Sequence, residues 1–262
     1  MVSAANHPGY VISAMGVGGV LDTGVNVARR HYGFLVTVTA WAIVPAYVAA
    51  TLLSLVPGGK LAGIGSVITG VAGLLASAAI AFAVARLLDS STTSEELTVG
   101  SLYRAARARF WPIFGLGVVT AVAAIPLVIL FPLGIYVLVR WSVSWVAVIL
   151  DGHGPIDGIK RSWELTRGSW WHTLVVALGA VLLVALLQVV VGGIFIAAAG
   201  GANLVLQNEA LSTILAQIGS VLVAILIEPF SVAMFVVLYY ELLARTEGFD
   251  LLQRAQQAVA AP

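Results

Sequence analysis

Two ionisable side chains stand inside runs otherwise apolar enough to cross a bilayer: Arg140 and Glu228. A charge in that position costs about 2.5–3.5 kcal/mol on insertion scales and marks either a polar path or a clamp between helices. Their opposite signs make a buried ion pair lining a polar cavity the chemistry they could do together. A purely structural clamp and an arginine snorkelling outward are the plainer alternatives. Counted from the outer ends of their runs, Arg140 lies about 8 residues down and Glu228 about 17, roughly 12 and 25 Å. These depths match only if the last run starts above the membrane, which Asn208-Glu209-Ala210 allows. Pro229 follows Glu228 and frees a backbone carbonyl near Ala224 or Ile225 as a second acceptor for Arg140. Other chemistries lack their residues. The chain has no Cys, and His7, His31, His153 and His172 are scattered without a carboxylate at ligand spacing. No HExxH, phosphate-binding loop or GxSxG is present. No metal, cofactor or catalytic set is therefore expected. Gly16-Val17-Gly18-Gly19 reads as a flexible leader, and Glu95-Glu96 as favourable charge at a helix N-terminus.

The elements that must position Arg140 and Glu228 follow from composition. Of 262 residues, 60% are hydrophobic and 10% charged, against about 25% charged in soluble domains. That excludes a cytosolic enzyme and a disordered chain, and the absence of Cys excludes a disulfide-stapled domain. A net charge of +1 gives no bulk attraction for nucleic acid. A span needs roughly 20 apolar residues. Six runs qualify: Phe34 to Leu55, Ile64 to Ala85, Phe110 to Phe131, Pro132 to Leu150, Trp170 to Ala199 and Leu211 to Tyr240. A tight turn at Pro132-Leu133-Gly134 joins the third and fourth, and Gly200-Gly201-Ala202-Asn203 breaks the fifth. Barrel strands would be shorter and alternate in polarity. The expected fold is all-α, a polytopic helix bundle in a single domain, residues 1–262. No Lys or Arg precedes Arg29, so there is no signal peptide and the first span leads insertion. Arg29, Arg30, Arg86, Arg104, Arg107, Arg109, Lys160, Arg161, Arg167, Arg245 and Arg254 fall on one side, and Lys60 alone on the other. The positive-inside rule then places both termini in the cytoplasm.

Short amphipathic segments precede spans one, three and five. Leu21, Val25, Ala28 and Tyr32 oppose Asp22, Asn26, Arg29 and Arg30. Val99, Leu102, Tyr103 and Ala106 oppose Ser101, Arg104 and Arg107. Ile156, Ile159 and Trp163 oppose Asp157, Lys160, Arg161 and Glu164. Such segments are expected to lie in the interface, apolar face down, as three elbow helices. Each elbow with its two spans forms a unit, over 17–89, 94–150 and 154–243, followed by a cytoplasmic tail, 244–262. Arg29, Arg30, Arg104, Arg107, Arg109, Lys160, Arg161 and Arg167 are the candidate contacts to anionic lipid. Tyr32, Trp111, Trp163, Trp170, Trp171, Tyr239 and Tyr240 are the candidate headgroup-level aromatics. Gly73, Ser77, Ala81 and Ala85 form a small-residue stripe that packs against another span, a second copy or a membrane partner. Pro112, Pro126 and Pro229 mark kinks or helix starts.

Four stretches together carry a family resemblance: Gly18-Gly19-Val20-Leu21-Asp22 through Arg29-Arg30-His31-Tyr32-Gly33; Pro132-Leu133-Gly134-Ile135-Tyr136 through Val139-Arg140-Trp141; Asp151-Gly152-His153-Gly154-Pro155 through Lys160-Arg161-Ser162-Trp163-Glu164-Leu165-Thr166-Arg167-Gly168 with Trp170-Trp171; and Leu238-Tyr239-Tyr240-Glu241-Leu242 through Arg245-Thr246-Glu247-Gly248-Phe249-Asp250-Leu251. They resemble the glycerophosphoryl diester phosphodiesterase membrane domain, a family related to the YciC-like bacterial membrane proteins. The resemblance implies six spans with interfacial elbows in a prokaryotic cytoplasmic membrane. It does not imply phosphodiesterase activity, because the soluble barrel that carries the catalytic His pair and metal-binding carboxylates is absent from these residues. The expected function is a non-catalytic membrane protein that binds anionic lipid or scaffolds partners in envelope or phospholipid homeostasis. The alternative is a small-solute or lipid transporter or channel with a cavity near Arg140 and Glu228.

Overall fold

The computed structural model describes residues 14–54, 61–88, 97–129, 131–207 and 209–247. Lys60, Glu95, Glu96, His7 and the tail from 248 lie outside them. Every regular element among the described residues is a helix: α1 (Val17–Arg30), α2 (Tyr32–Ser54), α3 (Ala62–Leu88), α4 (Val99–Ala108), α5 (Phe110–Ile129), α6 (Phe131–Trp141), α7 (Ser144–Leu150), α8 (Pro155–Leu165), α9 (Trp170–Leu206) and α10 (Glu209–Glu247). Five stretches are long and apolar enough to cross a membrane, in α2, α3, α6–α7, α9 and α10. A sixth is formed if α4 and α5, bent by 55° at Arg109, count as one. The chain is a multi-pass membrane protein built as a helical bundle.

α3 is its axis. Ala76, Ala78, Ala79, Ile80, Ala81, Ala83 and Val84 are buried on almost every side, and α2, α4, α7 and α10 pack around them. Association of helices in lipid rests on close backbone approach, which alanine permits. The expected stripe is spent partly inside the chain. Ser77 bonds to Glu228 and Ala81 is fully buried, whereas a Cβ on Gly73 would meet open space.

α9 and α10 form a hairpin paired along its length. His172 lies against Glu241 at one end, and Phe195 packs on Gly219 nearer the turn. Its helices hold 37 and 39 residues, roughly 55 Å each. The break expected at Gly200-Gly201-Ala202-Asn203 does not occur; the helix runs to Leu206 and turns at Gln207, φ 48°. Glycine costs a helix only about 0.5–1 kcal/mol per residue, and the pairing of α9 with α10, as where Phe195 packs on Gly219, opposes that cost. Likewise Pro132, Leu133 and Gly134 belong to the first turn of α6 rather than to a loop. Proline fits there because a first-turn N–H has no helical partner to lose.

The continuous fourth span is interrupted. α6 stops at Trp141 and α7 starts at Ser144. Serines satisfy the carbonyls this break releases: Ser142 Oγ donates to Val139 O (2.8 Å), Ser144 Oγ to Trp141 O (2.7 Å) and Ser162 Oγ to Arg140 O (2.6 Å).

The elbows are packed onto protein. α1 runs beside α10 in the opposite direction: Met15 is held by Glu241 and Arg245, Gly24 faces Met234, and Tyr32 donates to Leu226 O at 3.2 Å. Val20, Val27 and Ala28 are fully buried, so its apolar face is covered by helix rather than laid on lipid. α4 buries Leu102 and Ala106 as expected, and Tyr103 donates to Val38 O at 2.7 Å. α8 is turned relative to its hydrophobic pattern. It buries Gly158, Ser162 and Leu165, while Ile156 and Trp163 are exposed. Small size decided that face: a Cβ on Gly158 would stand 2.3 Å from Val148 Cγ2 and 3.2 Å from Ser144 O.

Candidate functional site

Arg140 closes α6 at its junction with the end of α8 and the start of α9. The residue is 8% exposed. Its guanidinium stands 5.2 and 5.1 Å from the ring centres of Tyr136 and Trp163. Nε and Nη2 donate to the Tyr136 hydroxyl (3.2 and 2.8 Å), and Nη1 to Trp163 O (3.2 Å) and Thr166 Oγ1 (3.5 Å). Tyr136 is held in turn: its ring stacks on Trp170 at 5.6 Å, and its carbonyl accepts from Trp170 Nε1 at 3.2 Å. No carboxylate pairs with Arg140 among the described residues.

Glu228 has a different partner on a different helix. Its Oε1 lies 2.6 Å from Ser77 Oγ of α3, and that hydroxyl also lies 2.9 Å from Gly73 O. The ion pair expected between Arg140 and Glu228 is therefore not formed. The sequence places both in spans by count alone. The break after Trp141 and the packing of α8 on α6 bring Arg140 to the elbow end instead.

Polar groups converge on Asp151, just after α7. Its Oδ2 takes the hydroxyl of Tyr239 from α10, lies 3.5 Å from His153 Nε2 and 3.9 Å from Arg161 Nε of α8. Arg109, at the α4–α5 bend, donates to Gly152 O at 3.4 Å and packs directly on that glycine. Gly152 sits at φ +79°, which a side chain there would strain, quite apart from displacing the guanidinium. The cluster thus draws on α4–α5, α7, α8 and α10. Its carboxylate lies against an imidazole, with two arginines alongside. The spacing of Asp151 and His153, two residues apart, is a signal of their pairing that reading His153 as scattered passes over; the arrival of Tyr239 and Arg109 has no such signal, because it depends on tertiary packing.

A second buried carboxylate, Glu241, is fully buried on α10. It bonds to Arg245 one turn on, accepts the Met15 N–H at 3.3 Å, and lies 3.3 Å from His172 Nε2. Arg245 also donates to Met15 O. The histidine read as scattered thus has a carboxylate partner supplied by the neighbouring helix.

The candidate lipid contacts divide. Arg29, Arg30, Arg104, Arg107, Lys160 and Arg167 are exposed, Lys160 with Asp157 at 3.2 Å. Arg109 and Arg161 turn inward to the Asp151 cluster. Among the aromatics, Trp111, Trp163 and Trp171 are exposed and Tyr32, Trp170 and Tyr240 half-buried. Tyr239 is fully buried and spends its hydroxyl on Asp151, so its ring is packed in protein and not offered to lipid headgroups. No group of three or more metal-ligating His, Cys, Asp or Glu side chains occurs among the described residues. No family model, curated protein or solved structure matches the chain.

Proposed function

We propose that the chain is a non-catalytic protein of a prokaryotic cytoplasmic membrane, with both termini cytoplasmic, that binds anionic phospholipid at its elbow end. The observation that carries this reading is the exposure of Arg104 and Arg107 on α4 and of Arg167 after α8, beside exposed Trp111, Trp163 and Trp171. Indoles favour the headgroup level, and arginines beside them meet phosphate. The resemblance to the glycerophosphoryl diester phosphodiesterase membrane domain belongs to the same proposal. A transport path between Arg140 and Glu228 is not favoured, because each has its own partners on different helices.

The test is the double variant Arg104→Gln, Arg107→Gln reconstituted into vesicles with a graded share of phosphatidylglycerol. At roughly 1 kcal/mol per surface charge, two lost charges should reduce enrichment of anionic lipid around the protein about thirtyfold. Unchanged enrichment would reduce these arginines to signals of topology.

A further inference from the structure

The guanidinium of Arg140 is a buried cation whose partners are all uncharged. Buried charges are ordinarily paired, because desolvation without a counter-charge is costly. Here the compensation comes from two aromatic faces, one phenol, one hydroxyl and one carbonyl. The two edges of the group are used very differently. Nη1 is fixed to Trp163 O and Thr166 Oγ1, which belong to the end of α8 and hold the plane in place. The Nε/Nη2 edge, whose parallel N–H bonds match two oxygens of a carboxylate or phosphate, converges on the single oxygen of Tyr136.

Tyr136 is a replaceable partner. It is the residue one turn earlier on the same helix and is 36% exposed. Its oxygen accepts both N–H groups, and its own hydroxyl proton has no acceptor among the described residues. A neutral phenol is a weaker acceptor for a guanidinium than an oxyanion, which brings its own charge to the bond. The surroundings say which anion. Trp163 and Trp170 flank the site, Trp171 is 73% exposed beside it, and Arg167 is exposed between α8 and α9. At the headgroup level of a bilayer the abundant oxygen anion is phosphate.

We propose that the Nε/Nη2 edge of Arg140 is a phosphate-binding site, taking the phosphate of a phospholipid headgroup or of a soluble phosphoester, with Tyr136 as the displaceable partner. This rests on the reading that the elbow end meets anionic lipid, and sharpens it from a diffuse charge effect to one saturable site.

The experiment is lipid retention by the detergent-purified, delipidated full chain, titrated with phosphatidylglycerol and read by native mass spectrometry. Wild type should hold one phosphatidylglycerol far more tightly than the rest. Arg140→Lys keeps the charge but loses the paired N–H edge, and should weaken that one adduct about tenfold or more, the equivalent of one hydrogen bond to a charged group. Tyr136→Phe frees the edge and should hold the lipid at least as tightly as wild type. Arg104→Gln, Arg107→Gln should leave this adduct intact even where it lowers bulk anionic preference, so the two readings fail separately. Glycerol 3-phosphate, as a soluble probe, separates the sources: competition with the lipid assigns the site to the phosphate alone, and no competition shows that acyl chains are needed as well. Retention by Arg140→Lys equal to wild type would overturn the proposal. So would a loss in Tyr136→Phe matching that in Arg140→Lys, since a merely structural network would be damaged alike by both.

Discussion

Gly24 is where α1 meets α10 by backbone. A Cβ placed there would lie 2.7 Å from Met234 Cα, 2.8 Å from its Cγ and 3.0 Å from its N. Ordinary contact begins at 3.4 Å, so Gly24→Ala requires α1 to retreat by 3.4 − 2.7 = 0.7 Å. That movement loosens Val20, Val27 and Ala28, all fully buried. Overpacking of this kind costs about 1–3 kcal/mol. Alanine recovers about 1 kcal/mol over glycine in a helix interior, so the raw change is roughly 0–2 kcal/mol of destabilisation. Gly117→Ala in α5 supplies the correction, because a Cβ there has nothing within 4 Å. The difference between the two variants should be about 1–3 kcal/mol, measured by equilibrium unfolding in mixed micelles with the tryptophan signal. Met234→Ala should not rescue Gly24→Ala, since two of the three close atoms are backbone. Equal effects at Gly24 and Gly117, or full rescue by Met234→Ala, would refute the backbone contact.

Two further expectations use the same unfolding assay. Arg140→Gln and Glu228→Gln should be additive within about 0.3–0.5 kcal/mol, as sites without shared partners are; a larger coupling term would mean that the two charges feel each other directly. His31, between α1 and α2, is held below its ordinary value of 6.5 by burial first and by the Arg30 charge second. The native state therefore favours the neutral ring. Its contribution is complete above about pH 6.5 and is lost as the pH falls through the lowered native value. His31→Gln should flatten the acid side of the stability curve in that window, and an unaltered acid side would show that His31 does not contribute to it.

The helical membrane bundle was legible in the apolar runs, because lipid leaves a long apolar segment little choice but helix. So was the burial of Leu102 and Ala106, which follows from period alone. What escaped the sequence shares one cause: in lipid, size and backbone contacts decide packing more than hydrophobicity does. Gly158 and Ser162 therefore took the buried face of α8 from Ile156 and Trp163. Ser142 and Ser144 lie inside a run of span length, and hydropathy does not mark the break they cap or the bond from Ser162 of α8 to Arg140 O. Arg140 is buried, with one partner, Tyr136, a turn earlier on α6, but the others, Trp163 and Thr166, lie 23 and 26 positions ahead at the end of α8. Hydropathy carries no information about that meeting. Tyr239 read as an interfacial ring because its neighbours are aromatic and apolar, while the acceptor for its hydroxyl lies 88 residues earlier.

The hold of Glu241 and Arg245 on Met15 sets an order of events during synthesis. The N–H of Met15 and the carboxylate that takes it are 226 residues apart. At ribosomal speeds of 5–20 residues per second, about 10 to 45 s separate the emergence of the two. For most of that interval, until synthesis passes Glu209, α10 does not exist, and the stripe of Val20, Gly24, Val27 and Ala28 lacks the helix that covers most of it. Of the described helices α1 is made first and is thus among the last to dock, and in the meantime a bilayer surface is the natural place for its apolar side. A ribosome stalled before Met234 would leave α1 without the residue that faces Gly24.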